Sequence, residues 1–349
     1  MGHPRGPRTT ESRVSPHSRR VTIRDVAEAA GLSPAAVSYA LRGIQVSPET
    51  QERVRRIADE LGYEANSIAR ALASGRTHMI GILAPSLEDL WQQRLVAQAA
   101  RALLGRERYP LILDPGGSAE RQRLLAAQLR ERQVDGMLVS PIDPADPFWS
   151  ELAETIALVS IGDGLPGAAT AGEVLFDNRS GVRAALEHLH ALGHRRIGVL
   201  CPPGAPTADR PAELAVAAEA RRLELEIEIV ASPYELEGAC AAACGLLGSS
   251  TPPSACFCFS DSLAHGVYAA AQRLGLRIPE HLSVIGYDDH PVSALLGTPL
   301  TTFGWDTDRV VKEAIEMALA AIEGRRAHRR IVIRPQLRER ASTAPAPAA

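Results

Sequence analysis

A chain of 349 residues, 45% hydrophobic and only 4% aromatic, is long enough for more than one packed core. No apolar run approaches the roughly 18 residues that cross a bilayer, which argues against a membrane protein. The net charge of −3 is unevenly spread, with the first 76 residues net basic and the remainder acidic, so nucleic-acid binding stays open.

Residues 1–20 are rich in Arg, Pro and Ser without an apolar stretch, and read as a disordered basic leader rather than a secretory signal. Arg5, Arg8, Arg13, Arg19 and Arg20 make it a supplementary phosphate contact at most. Residues 21–65 read as three short helices. Thr22, three residues before Asp25, opens the first, with Thr22 Oγ expected to accept the free N–H groups; Gly31 ends it. Ser33-Pro34 and Ser47-Pro48-Glu49 open the next two, each with Ser as N-cap and Pro at N1, where the missing N–H costs nothing. Val26, Ala27 and Ala30, then Val37, Ala40 and Leu41, then Val54, Ile57, Ala58 and Leu61 supply the inward faces. Two helices joined by a short Gly-containing turn and braced by a third form a helix-turn-helix. Residues 66–76 read as a hinge helix and linker, too short to persist alone in water.

The run TIRDVAEAAGLSPAAVSYALRG, followed by VSPETQERV, LGY and N-x-x-ARAL, resembles the headpiece of the lactose-repressor/galactose-repressor family. In helix-turn-helix proteins the second helix enters the major groove, its first residues meeting base edges. The resemblance puts Pro34, Ala35 and Tyr39 there. Pro34 and Ala35 limit readout to apolar contact, and Tyr39 offers one hydrogen bond and a stacking face. It implies backbone-phosphate contacts for Thr22, Ser33, Ser38, Arg42 and Asn66, which fix register without reading sequence. It also implies that Arg70 and Leu72 belong to a hinge held in the minor groove, Leu72 wedging between central base steps. Ala65 stands where the family has Pro.

From Met79 onward short apolar runs (MIGILA, PLILD, GMLVS, IALVSI, RIGVLC, EIEIVA, ACFCF, LSVIGYD) alternate with helical stretches at 91–105, 120–132, 180–192, 237–247, 262–274 and 307–323. This predicts an α/β core of two doubly wound parallel sheets. Again the residues resemble the family: VDG, FDNRSGVRAALEHLHALGHRRIGVL, SDSLAHG, LRIPEHLSVIGYDD and TPLTTF occur in order. The resemblance implies a two-lobed periplasmic-binding-protein-like core over 77–340. Lobe 1 takes about 77–176 and 306–330, and lobe 2 takes 177–305 and 331–340. Residues 341–349 are expected to be a disordered tail without heptads, so a homodimer is expected rather than a coiled-coil tetramer.

Ligands of such sheets bind at the carboxyl ends of the strands. The resemblance places Asp89, Trp91, Arg210, Asp261 and Trp305 there, a set suited to a sugar-like effector: charged groups for hydroxyls and indoles for C–H faces. D89-L-W-Q92 replaces the family's N-P-F-F, and Ala215 and Ser260 replace a Gly and an Asn. Cys201, Cys240, Cys244, Cys256 and Cys258 read as buried small residues in a reducing cytoplasm rather than a metal site. Asp288-Asp289-His290 reads as a structural turn, and G162-D-G-L-P-G167 as a loop with no helix to follow. No catalytic constellation, metal or cofactor is expected. The leading function is a sequence-specific transcription regulator, a repressor on a pseudo-palindromic operator with a small-molecule effector. The alternatives are a solute-binding protein, which the headpiece opposes, and a nucleotide-dependent enzyme, supported only by the Gly pattern.

Overall fold

The computed structural model describes residues 21–63, 75–203, 211–325 and 328–347. The chain divides into two units, residues 1–76 and 77–349. In the first, α1 (Ile23–Ala30), α2 (Pro34–Leu41) and α3 (Pro48–Glu60) enclose a small core of Val26, Ala27, Ala30, Val37, Ala40, Val54 and Ala58. Leu61, expected inside, is exposed just past the end of α3. Gly31 ends α1 in the left-handed region at φ 64°, where a Cβ is disfavoured. Arg53 reaches back to donate to the carbonyl of Ala30, satisfying one of the acceptors left open there.

The second unit begins with β1 (Met79–Leu83), α4 (Leu90–Leu104), β2 (Tyr109–Leu113), α5 (Ala119–Glu131), β3 (Gly136–Val139), α6 (Phe148–Ala153), β4 (Ala157–Gly162) and β5 (Gly172–Phe176). It continues with α7 (Asn178–Ala191), β6 (Arg196–Cys201), α8 (Pro211–Arg222), β7 (Glu226–Ala231), α9 (Leu236–Leu247), β8 (Ala255–Cys258), α10 (Asp261–Arg273) and β9 (Ser283–Ile285). It ends with β10 (Thr302–Gly304), α11 (Thr307–Ile322), β11 (Arg329–Ile333) and β12 (Gln336–Arg338).

Lobe 1 is a six-stranded parallel sheet in the order β11-β5-β4-β3-β1-β2, and lobe 2 a four-stranded parallel sheet in the order β7-β6-β8-β9. Their inner strands are buried on both faces, which explains the unbroken apolar runs. As expected, α11 returns to lobe 1, where Val310, Ala314, Ile315 and Ala318 join the core of Ile80, Leu138 and Val159. It lies close to the sheet because Gly172 has no Cβ: one built there would sit 2.3 Å from Met317 Sδ. Cys256 and Cys258 are core residues of lobe 2, and burial pushes the Cys256 thiol up to about 12.

Two expected boundaries change. Strand β11 pairs in parallel with β5, so residues 331–333 belong to lobe 1; only after them does the chain cross back to form the antiparallel ribbon of β12 with β10. The tail is not loose over 341–347. Ser342 is buried, its Oγ donates to Val284 O at 2.6 Å and accepts from Thr301 N at 2.7 Å, and Val284 N donates to Ser342 O. The carbonyl of Ala344 accepts from Ser283 Oγ and lies 3.1 Å from His194 Nε2. Polar partners far away in sequence order a segment whose composition reads as disordered. Among the described residues no helix is long and apolar enough to cross a membrane.

Candidate functional site

On the headpiece, Ser33 Oγ accepts from Ala36 N at 3.1 Å, the cap read from the sequence. Thr22 and Asp25 form the capping box read from the sequence, in which the Thr22 backbone N–H and hydroxyl both donate to Asp25 Oδ2, at 2.7 and 2.8 Å. Val37 and Ala40 turn inward, which leaves Ser33, Pro34, Ala35, Tyr39 and Arg42 exposed, with Ser38 half-buried. The Arg42 guanidinium lies 5.2 Å above the Tyr39 ring, and its Nε donates to Ser38 O at 3.1 Å. A cation is thus held beside a stacking face on one exposed helix surface, a fitting pair for phosphate and base. Asn66, Arg70 and Leu72 lie outside the described residues.

In the second unit a cleft of about 260 Å³ opens between the lobes. Its walls are the segments that leave the carboxyl ends of successive strands. Pro85 and Ser86 follow β1, Ser140 and Pro141 follow β3, Pro202 follows β6, Pro233 and Tyr234 follow β7, and Tyr287 and Asp288 follow β9. Parallel strands point all their carboxyl ends the same way, so the site is a property of the topology. The G162-D-G-L-P-G167 stretch is indeed followed by no helix, and Gly162 and Asp163 line the cleft instead.

Three of the five predicted ligand residues meet there: Asp89, Trp91 and Trp305. Asp89 caps α4, its Oδ1 accepting from Gln92 N at 2.9 Å, while its Oδ2 is buried and lacks a partner among the described residues. Burial raises its proton affinity, which the Gln92 N–H and the hydroxyls of Ser262 and Ser260 partly offset. Trp91 is buried edge-on to Phe176 with ring centres 5.5 Å apart, and its indole N–H has no partner among the described residues. Trp305 stacks on the other ring of this wall, Phe176, at 4.3 Å. Leu90 N donates to Ser262 Oγ at 3.0 Å and so ties the two lobes beside the cleft.

Arg210 lies outside the described residues. Asp261 is corrected: it is not part of the lining. Its Oδ2 accepts from His290 N and Ser293 Oγ, both at 2.7 Å, and its Oδ1 accepts from Thr302 Oγ1 at 2.6 Å. A Cβ on Gly286 would stand 2.3 Å from that Oδ1, so the carboxylate is boxed inside lobe 2. Burial lifts its pKa to about 6 against the pull of the Thr302 and Ser293 hydroxyls and the His290 N–H.

Asp288, which the sequence reading assigned to a structural turn, is among the carboxylates that line the cleft. It sits at φ 104°, an arrangement a non-glycine residue rarely adopts, and its Oδ1 accepts from Trp305 Nε1 at 3.0 Å. Desolvation, then the charges of Asp89 and Asp261, hold it well above the usual carboxylate range, with the Trp305 N–H opposing. Its neighbour Asp289 does serve the fold, pairing with Arg340 at 2.5 Å. Phe176 and Tyr287 were also missed; the available signal was that each stands at or just past the carboxyl end of a parallel strand.

Residues 22–66 match the lacI family of bacterial regulatory proteins, and residues 186–343 match the periplasmic binding protein-like domain. The chain is 31% identical over 328 residues to the HTH-type transcriptional repressor PurR of Vibrio atlanticus, with 92% of this chain and 98% of that protein covered. It is 34% identical over 343 residues to the HTH-type transcriptional regulator MalR of Streptomyces coelicolor, covering 93% and 97%. Among solved structures, the Lac repressor dimer bound to operator and the anti-inducer ONPF shares the fold at a TM-score of 0.79, 23% identical over 93% of this chain and 100% of that one. The CelR–cellobiose complex matches at a TM-score of 0.65 and 25% identity, covering 93% and 100%.

Proposed function

The chain belongs to the lacI family of bacterial regulatory proteins, and from that premise we propose that it represses transcription as a homodimer on a pseudo-palindromic operator. It is a DNA-binding regulator with a core that takes a small-molecule effector. In our reading Pro34, Ala35 and Tyr39 face bases, while Thr22, Ser33, Ser38, Arg42 and Asn66 hold phosphates. Arg70 and Leu72 act from the hinge, Leu72 as the wedge. It works in the cytoplasm on the nucleoid and catalyses no reaction.

The effector, a sugar or related metabolite, enters the interlobe cleft. The observation that carries this is a set of buried polar atoms on its lining without partners among the described residues: Asp89 Oδ2, Trp91 Nε1, Gln92 Oε1 and Tyr287 Oη. A buried polar atom without a partner costs about 1–3 kcal/mol, so a ligand that satisfies several gains both affinity and selectivity. Binding shifts the balance between two core states only as far as its affinities for them differ. Dimer formation is supported by the free edge strand β2, where Tyr109 and Ile112 are exposed beside Leu104.

Selection from random duplexes by the full chain at about 0.15 M salt tests the DNA reading. An enriched palindrome with a flexible pyrimidine–purine centre is the expected result. Enrichment of a single, asymmetric half-site would remove the dimer and the Leu72 wedge together.

A further inference from the structure

Asp135, the acid of the V-D-G motif, is not on the cleft lining, yet it holds the first two residues of the second unit. Its Oδ1 accepts from Thr77 N at 2.8 Å and its Oδ2 from His78 N at 2.9 Å. The Thr77 hydroxyl lies 2.9 Å from both Asp135 Oδ1 and the carbonyl of Gln133. Arg108 stands beside the carboxylate at 3.9 Å, the two side chains being only 11% and 6% exposed, and its Nη1 meets His78 Nδ1 at 2.7 Å. The carbonyl of His78 accepts from Tyr109 N at 2.8 Å. His78 itself is in the left-handed region at φ 59°, a conformation that a non-glycine residue keeps only where its surroundings impose it. Strands β1, β2 and β3 run parallel side by side, so their amino ends lie along one edge of the sheet, with Arg108 just before β2 and Asp135 just before β3. Bonds to an ionised carboxylate that is shielded from water are the strong kind. The entering chain is therefore clamped two residues before β1 starts.

We propose that Asp135 is a positioning residue for operator binding: without touching DNA, it fixes the point from which the chain leaves the core for the headpiece. This rests on the operator reading and on Leu72 acting from the hinge. Leu72 is five residues before Thr77, at most about 18 Å of chain at about 3.3–3.6 Å per residue, so the place where Thr77 is held bounds where Leu72 can reach. Without the clamp the first residue fixed by the sheet is Met79, and each protomer gains two residues, about 7 Å, of slack. Both protomers must order that slack again on a palindrome, which opposes binding. Random duplex makes no such demand, since phosphate contacts do not need the two hinges in register.

The test measures binding of the full chain to the duplex that the wild type enriches and to a random duplex at about 0.15 M salt, with thermal unfolding to show that each variant is folded. Asp135→Ala is expected to weaken the enriched duplex about tenfold or more and the random duplex less than about twofold. Thr77→Val removes the hydroxyl and keeps the backbone bonds, and carries the test should Asp135→Ala fail to fold. It should weaken the enriched duplex about threefold or more, while Thr77→Ser, which restores the hydroxyl, should leave it unchanged. Either folded variant matching the wild type on the enriched duplex overturns the proposal. So does an equal loss on both duplexes, or Thr77→Ser as weak as Thr77→Val. In those cases the palindrome enriched by the wild type still stands, and with it the operator reading. A wild type that enriches no palindrome removes both.

Discussion

The face of α2 and the interlobe cleft handle polar groups in opposite ways. On α2, Ser33, Tyr39 and Arg42 stand in solvent on a helix whose other side is apolar, and their neighbours in the fold do not enclose them. In the cleft, Asp89, Trp91, Gln92 and Tyr287 have been taken out of water, and each keeps a polar atom without a partner among the described residues. A surface that meets a polyanion gains from keeping its donors hydrated until phosphates displace counterions, and its affinity then falls with salt. A cavity for a small molecule must obtain its selectivity from a few bonds, and each counts for more where water is excluded.

Removing residues 1–76 gives the largest expected effect: operator binding in a mobility-shift assay is lost entirely, while the core unfolds with an unchanged Tm. Retained DNA binding would show that the two regions do not divide the work. Next comes Asp261→Ala, which strips the acceptor from three donors inside lobe 2. Urea unfolding should show a loss of about 3 kcal/mol or more. A stable variant that no longer responds to effector would return Asp261 to the cleft and dissolve the distinction from Asp288.

Asp261 has a pKa of about 6 in the fold against 3.8 for the free side chain. Between about pH 4 and pH 6 the unfolded chain has released this proton and the folded chain still holds it, so stability falls as pH rises through that window and is level above it. Asp89 and Asp288, also raised by burial, add slopes of the same sign. Asp261→Asn should make the measured stability fall less steeply there; an unaltered slope would mean that Asp261 does not titrate in this range. The smallest effects belong to the headpiece. Arg42→Ala should weaken operator and random DNA alike and reduce the salt slope by about 1. Ser33→Ala should cost the headpiece about 1 kcal/mol of stability through its lost cap.

The strands and helices that could be read were those with strong local patterns, such as the buried apolar strands β1, β3, β6 and β8 and the helices α4, α7 and α10. Those that escaped were short or of mixed polarity. Strand β5 begins with Gly-Glu, β10 and β12 have three residues each, and α8 carries few large apolar side chains. In the cleft, Asp89 and the two tryptophans were legible only through the resemblance to the family. Asp261 is enclosed in lobe 2 and Asp288 lines the cleft, although both follow a strand of the same sheet at its carboxyl end. Nothing local distinguishes them.

By itself the sequence determined the headpiece, because caps, turns and a 3.6-residue apolar period act over a few positions. It determined the parallel sheets for the same reason. Only the tertiary structure decided which carboxylate lines the cleft, since Ser293 and Thr302, 32 and 41 residues beyond Asp261, close around it while Asp288 stands on the cleft wall. Only it decided that the chain's last segment is ordered, since the partners of Ser342 at Val284 and Thr301 are 58 and 41 residues away. Such contacts depend on the packing of whole lobes, and no short window of sequence contains them.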